Sequence, residues 1–329
     1  MTPREVVQAT FRFEQTDPVP YHIPIDEDVQ RRLDAHYGNT AWRERLVPYV
    51  QLGHLGGGRE DRPDGTQRDL FGTVVRPGNI MHIVQPALAG PSLAGYDWPD
   101  VEALADWDAL AARPAGAREP YRMFGLGYGL FERAWLMRGM EALLMDMLDA
   151  PAFVEELMDG IEAVHFRAID LVADRLAVDA YFAGDDWSGQ RGPIMGLGPW
   201  RRFIKPRLAR LIERAHERGL PLICHSCGNV LPLVDDLLEI GLDGLESLQP
   251  EAMDVYELKR RTHGRMVLVG GMGTQSTLPF GTPRDVRAET RRLLRELGRG
   301  GGYVLAPAKP LLPDVPTANA VAFLEAAAG

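Results

Sequence analysis

Along the chain, short runs rich in β-branched and aromatic residues alternate with longer stretches whose apolar positions recur every three or four residues. That is the pattern of βα units around a parallel sheet. A helix is predicted over 3–14, ending at Asp17-Pro18, and Val19 to Ile25 reads as a buried strand. Residues 27–50 read as helical, with Leu33, Trp42, Leu46 and Val50 as core positions. A polar, Gly-rich piece from Gly56 to Gly65 and a hairpin from Leu70 to Val84 follow, placed as an insertion on the barrel. The segment 86–118 reads as a loop and a short helix. From there strands are predicted at Tyr121–Leu126, Val178–Ala183, Leu220–Cys224, Gly244–Leu248, Met266–Val269 and Tyr303–Ala306. Helices alternate with them over 131–150, 151–176, 199–218, 229–240, 253–262, 283–298 and 316–327. An eighth strand is expected near Tyr49 to Leu52. The predicted fold class is α/β, a (β/α)8 TIM barrel, one domain over 1–329 with an N-terminal insertion and hairpin. An open doubly wound sheet is the runner-up.

Composition narrows the function classes. With 46 acidic against 36 basic residues and a net charge of −10, the chain has no basic excess to offer a nucleic acid or an anionic membrane. Its two cysteines, Cys224 and Cys227, make no disulfide scaffold. The N-terminus has no apolar signal core, and no uncharged run reaches the ~18 residues of a membrane span, so a cytoplasmic protein is expected.

In a barrel of this class the chemistry sits on loops that follow the strands. The predicted strand ends carry Asp26, Asp28, Tyr128, Asp185, Asp186, His225, Cys227, Glu246, Gln275 and Lys309. His225 and Cys227 form an H-x-C pair between a strand and a helix, where imidazole and thiolate can share one borderline-soft metal, typically Zn²⁺. Glu246, ending the next strand, offers an oxygen ligand. The plainer alternative makes Cys227 a small buried hydrophobe and His225 a hydrogen-bonded loop residue. Cys224 points to the other side of its strand, toward the core. In the Gly184-Asp185-Asp186 turn, one of the two carboxylates faces substrate, or else Asp186 caps a helix while Asp185 pairs with Arg191. Gly125-Leu126-Gly127-Tyr128-Gly129 is no dinucleotide fingerprint and reads as a place where backbone or ligand approaches closely. Gly270-Gly271-Met272-Gly273 reads as an anion nest or a tight loop. Arg122 and Arg133 are candidate carboxylate clamps, and Tyr128, Arg191 and Gln275 candidate substrate contacts.

These residues carry a resemblance. Gly184-Asp-Asp-Trp-Ser-Gly-Gln-Arg-Gly-Pro, Phe203-Ile-Lys-Pro-Arg, His225-Ser-Cys-Gly-Asn, Gly241-Leu-Asp-Gly-Leu-Glu, Leu258-Lys, Gly270-Gly and Gly301-Gly-Tyr-Val-Leu-Ala-Pro stand in order before Asp314-Val-Pro-Thr-Ala-Asn. With Thr2-Pro-Arg-Glu and Asp17-Pro-Val-Pro at the start, the chain resembles the uroporphyrinogen decarboxylase superfamily nearly throughout. True uroporphyrinogen decarboxylases are metal-free and carry an N-terminal R-Q-A-G-R motif; here the corresponding segment is Tyr21-His-Ile-Pro-Ile-Asp. The resemblance therefore points to the methyltransferase branch, which works with corrinoid proteins and thiol acceptors and is similar to the zinc half of cobalamin-independent methionine synthase. It implies zinc held by H-x-C, a following Glu and a later Cys, matched by His225, Cys227 and Glu246, with Lys309 where the last Cys would stand. It implies transfer of a methyl or alkyl group, or demethylation of a small substrate, with Asp185, Asp186 and Lys309 as catalytic candidates and any corrinoid arriving on a separate protein. A metal-free decarboxylase or lyase using Asp185 or Asp186 with Lys309, and a non-catalytic tetrapyrrole- or metabolite-binding barrel, are the alternatives.

Overall fold

Residues 1–55, 59–78, 82–111 and 119–329 are described by the structure, a computed structural model of the chain. Seven strands form one parallel sheet in chain order: β1 (Val50–His54), β2 (Tyr121–Tyr128), β3 (Ala180–Gly184), β4 (Leu222–His225), β5 (Gly244–Leu248), β6 (Val267–Met272) and β7 (Tyr303–Pro307). Helices cover the crossovers from β2 onward, among them Pro151–Arg175, Lys205–Glu217 and Pro283–Glu296. Strand followed by helix followed by parallel strand, repeated in sequence order, is a TIM-barrel-like α/β fold, as the alternation predicts.

The stretch Val19–Ile25 closes the curl. Leu305 N donates to Pro20 O and Leu311 N to Pro24 O, both at 2.9 Å, while His22 N donates to Leu305 O at 2.8 Å. Pro18, Pro20 and Pro24 lack an N–H, so alternate groups pair and no continuous ladder forms. On its other flank the Tyr21 hydroxyl accepts from Val47 N at 2.7 Å, and the Tyr21 ring meets Tyr49 edge-on. This segment thus lies between β7 and β1 and serves as an eighth stave.

Several predicted helices are broken by glycine. The helix expected over 27–50 stops at Tyr37, where Gly38 turns left-handed at φ 68°; a short turn Trp42–Arg45 follows and Val50 already belongs to β1. That over 131–150 divides into Leu130–Arg138 and Met140–Asp149 at Gly139, φ 90°. The insertion is a four-stranded antiparallel sheet, Glu60–Asp61, Gln67–Arg68, Val74–Arg76 and His82–Gln85. The predicted hairpin supplies its last two strands. Gly56–Gly58 of the Gly-rich piece, residues 79–81 of the hairpin and residues 112–118 of the segment 86–118 lie outside the described residues. Among the described residues no helix is long and apolar enough to cross a membrane.

The glycines of β2 and β6 answer to packing. A Cβ on Gly125 would lie 1.6 Å from the carbonyl oxygen of Phe182 on β3, so the close approach inferred for this Gly-rich stretch is one of backbone to backbone. Gly270 and Gly271 lie inside β6 and form no anion nest. A Cβ on Gly270 would sit 2.4 Å from Leu248 N, so the glycine lets β5 and β6 draw together. Gly125→Ala is therefore expected to lower unfolding free energy by roughly 2–4 kcal/mol in denaturant melts. Gly198→Ala, where nothing lies within 4 Å, should leave it within about 1 kcal/mol of the parent.

Candidate metal centre

Strand register assembles the site. Tyr128 pairs with Gly184, Gly184 with His225, and His225 with Glu246, so the carboxyl ends of β2, β3, β4 and β5 form one row. Beyond His225 the chain turns sharply at Gly228, φ 81°, where a Cβ would lie 2.4 Å from Ser188 O. The turn is pinned by its own amides: Ser226 N donates to Glu246 O at 2.5 Å, Cys227 N to Asp186 Oδ1 at 2.6 Å, and Gly228 N to Gln249 Oε1 at 2.7 Å.

His225 Nε2 lies 3.4 Å from Cys227 Sγ and 3.4 Å from Asp186 Oδ1, and the three donor atoms fall within 4.8 Å of one another. Ligand atoms of a tetrahedral zinc, at bonds of about 2.0–2.3 Å, stand about 3.3–3.6 Å apart; both separations from His225 Nε2 match that spacing, so these residues could supply three ligands. The opposite ring nitrogen, Nδ1, meets Glu246 Oε2 at 3.1 Å. Glu246 therefore stands behind the imidazole, in the orienting position that a carboxylate takes in metal sites. Asp186 Oδ1 lies with Cys227 Sγ on the Nε2 side of the ring, whereas Glu246, the third ligand expected from the sequence, lies on the Nδ1 side. Burial opposes charge on His225, but Glu246, Asp186 and Cys227 outweigh it and raise its pKa well above the usual value. Burial likewise works against ionised Glu246, and His225, with His22 and His54 beyond it, holds that carboxyl below its ordinary range.

The donors open onto a cavity of about 780 Å³ at the carboxyl end of the barrel. Its walls include Leu52, Leu55, Leu126 and Phe182 on the apolar side, and Glu132, His22, His54 and Arg133 on the polar side. Burial first, and then Asp186 and Asp185, push Glu132 up to about 8. Burial lowers the pKa of both His22 and His54 against the pull of Glu246.

A family model described as uroporphyrinogen decarboxylase (URO-D) matches residues 123–329, more than half of the chain. This chain belongs to the uroporphyrinogen decarboxylase family. It is 28% identical over 184 residues to a uroporphyrinogen decarboxylase of Pseudomonas fluorescens, covering 52% of this chain and 49% of that one. To a Thermus thermophilus uroporphyrinogen decarboxylase it is 26% identical over 179 residues, covering 50% and 49%. The match thus spans about half the length of these relatives. Among solved structures, a methyltransferase from Methanosarcina mazei shares the fold with a TM-score of 0.75 at 18% identity, over 99% of this chain and 98% of that one.

Within this URO-D fold the predicted residues separate. Tyr128, Asp186, His225, Cys227, Glu246 and Lys309 all line the one cavity, Lys309 from its exposed mouth. Asp185 does not join them: its carboxylate is buried and accepts from Phe131 N at 3.1 Å, Glu132 N at 2.7 Å and Trp187 Nε1 at 2.6 Å. It anchors the start of the helix Leu130–Arg138, where backbone donors and the helix dipole favour an anion. Arg122 stands near the opening of β2, at the other end of the barrel from the site, and donates to Ala177 O and Leu110 O. Arg191 is exposed in the turn between Ser188–Gly189 and Gly192–Pro193, and Gln275 is exposed with its backbone N on Glu251. Neither lines the cavity. Glu132, His22 and His54 were missed; His54 ends β1, so a strand-end search extended to that element would have found it, whereas His22 lies in the middle of the Pro-rich stave. Glu132 follows a strand by four residues and had no such signal.

Asp185→Asn places an amide N–H₂ among three N–H donors. It is expected to cost on the order of 2–4 kcal/mol of stability, read by thermal and denaturant unfolding, because a buried donor is left facing a donor. An unchanged melting curve would return Asp185 to the list of substrate-facing candidates.

Proposed function

We propose that this protein is a zinc-dependent methyl- or alkyltransferase, or demethylase, acting on a small methylated substrate held in the β-barrel cavity. The supporting observation is the convergence of His225 Nε2, Cys227 Sγ and Asp186 Oδ1 on one point of the cavity wall. The acceptor in this reading is a thiol, or a corrinoid carried by a separate protein, as the methyltransferase-like branch of the family suggests. The later Cys of that branch is absent, with Lys309 standing in its place, and Asp186 makes good the loss. One thiolate and one carboxylate carry the same two negative charges as two thiolates, enough to neutralise a divalent ion.

A zinc ion held by His225, Cys227 and Asp186 would supply Lewis acidity, enough to keep a bound thiol deprotonated near neutral pH or to polarise a departing heteroatom. The chain's own groups do the rest. Glu246 accepts the Nδ1–H of His225, so loss of the Nε2 proton on metal binding would leave that nitrogen's lone pair facing Cys227 and Asp186. Leu126 and Phe182 add apolar surface to the wall of the same cavity. Glu132, largely protonated at neutral pH, offers a proton at its carboxyl within the same cavity. Lys309 sets a positive charge at the entrance, where it repels cations and favours anionic substrates.

Purified without a histidine tag, the protein is expected to bind zinc stoichiometrically by elemental analysis. Cys227→Ser and Asp186→Asn should lose most of it, whereas Glu246→Gln should keep the metal with affinity lowered on the order of 10–100-fold. Loss of zinc in Glu246→Gln together with full retention in Asp186→Asn would restore Glu246 as the third ligand. The transfer itself is tested with methylcobalamin and a simple thiol, followed by the visible spectrum of the cobalt centre. The zinc-loaded parent should demethylate it and Cys227→Ser should not. A parent that takes up no zinc and instead decarboxylates a carboxylated substrate would replace the transferase reading with the metal-free one.

A further inference from the structure

Three residues past the start of the helix Leu130–Arg138 lies Arg133, 6% exposed and part of the cavity wall. Its guanidinium lies over Phe71 at 3.9 Å and near the Tyr128 ring at 5.3 Å, contacts that hold the plane still. Nη1 donates to Asp69 Oδ2 at 2.7 Å. Asp69 is itself locked, its Oδ1 accepting from Thr73 N at 2.8 Å and Phe71 N at 3.0 Å. Nη1 is the only guanidinium nitrogen of Arg133 with an acceptor among the described residues, and Nε is buried with none. A buried guanidinium with five N–H donors and one carboxylate oxygen is under-satisfied, and a buried polar group left so calls for an explanation. Arg59, at the same cavity, adds a second positive charge near Tyr128.

We infer that Arg133 is the anchor for a carboxylate on the substrate, so that the cavity takes a small molecule with one anionic head and an apolar body. This rests on the cavity being the transferase's substrate site. A guanidinium edge presents paired donors that match a planar carboxylate, and one already half-neutralised by Asp69 suits a single negative charge better than a phosphate. The apolar body follows from Leu52, Leu55, Leu126 and Phe182, which offer no hydrogen bonds to anything beside them. Arg133 and Glu132 are neighbours on the first turn of one helix, and that turn is held by Asp185, so head-group anchor and proton-bearing carboxyl are positioned by the same element.

The test is calorimetric binding of 4-methylbenzoate against its uncharged isostere 4-methylbenzamide to the zinc-loaded protein, with zinc content measured alongside. The parent should prefer the carboxylate by about tenfold or more, the value of one charge-assisted hydrogen-bonded contact. Arg133→Gln should abolish that preference while zinc content stays unchanged. Asp69→Asn should do the opposite: it retains the Oδ1 acceptor for Thr73 and Phe71 but leaves Arg133 without its counter-charge, so the carboxylate should bind more tightly than to the parent. Should Arg133→Gln fail to fold, Asp69→Asn decides alone. Absence of carboxylate binding by the parent, equal affinity for the two probes, or unchanged or weaker binding in Asp69→Asn overturns the inference. Carboxylate preference in a protein that takes up no zinc would instead contradict the transferase reading and leave the anion anchor standing.

Discussion

The contact between His225 Nδ1 and Glu246 Oε2 settles what the other groups of the site can be. An imidazole offers two nitrogens on opposite edges, and parallel register puts the carboxylate of the neighbouring strand on one of them. The other edge is then directed at Cys227 on the following turn and Asp186 on the preceding strand's loop. Neither charge of the His225–Glu246 pair is favoured by burial alone; each exists because the other is there. Remove the pairing and the ring is free to rotate, the tautomer is undetermined, and three donor atoms no longer face one point.

Around this pair the fold commits a second carboxylate to architecture. Asp185 and Asp186 are adjacent in sequence, yet the backbone sends one into the protein and the other into the cavity. Asp185 gathers two helix-start amides and the Trp187 indole, and so ties the end of β3 to the first turn of Leu130–Arg138. Glu132 and Arg133 leave that same turn for the cavity. The burial that raises Glu132 and the stacking that fixes Arg133 are therefore consequences of one buried carboxylate used as a helix cap. Ser226 adds to the tie, its hydroxyl accepting from Trp187 N at 3.1 Å.

What could be read in the sequence was local or periodic. The alternation of short apolar runs with helical periods gave the barrel class, and His225-x-Cys227 was recognisable because both candidate donors come from one turn. Relations set by register were not readable. Whether Glu246 meets the Nδ1 or the Nε2 edge of His225 depends on which ring edge β5 faces, and no spacing in the chain records that. The same holds for Asp185 and Asp186, equivalent as letters and opposite in direction. Arg122 and Arg133 form a parallel case: both flank β2, but one lies at its start and the other just beyond its end, and the barrel puts those positions at opposite faces. The helix over 27–50 was overextended because Gly38 acts through its left-handed backbone, which apolar periodicity does not register.

The central claim is that one thiolate, one imidazole and one carboxylate share a zinc ion, with Glu246 outside the shell. X-ray absorption at the zinc edge, on protein loaded with stoichiometric metal, counts those ligands directly. The account predicts a single sulfur scatterer at about 2.3 Å with the remaining neighbours nitrogen or oxygen at about 2.0–2.2 Å, and loss of the sulfur shell in Cys227→Ser. A first shell without sulfur in the parent protein, or one unaltered by that substitution, would contradict it.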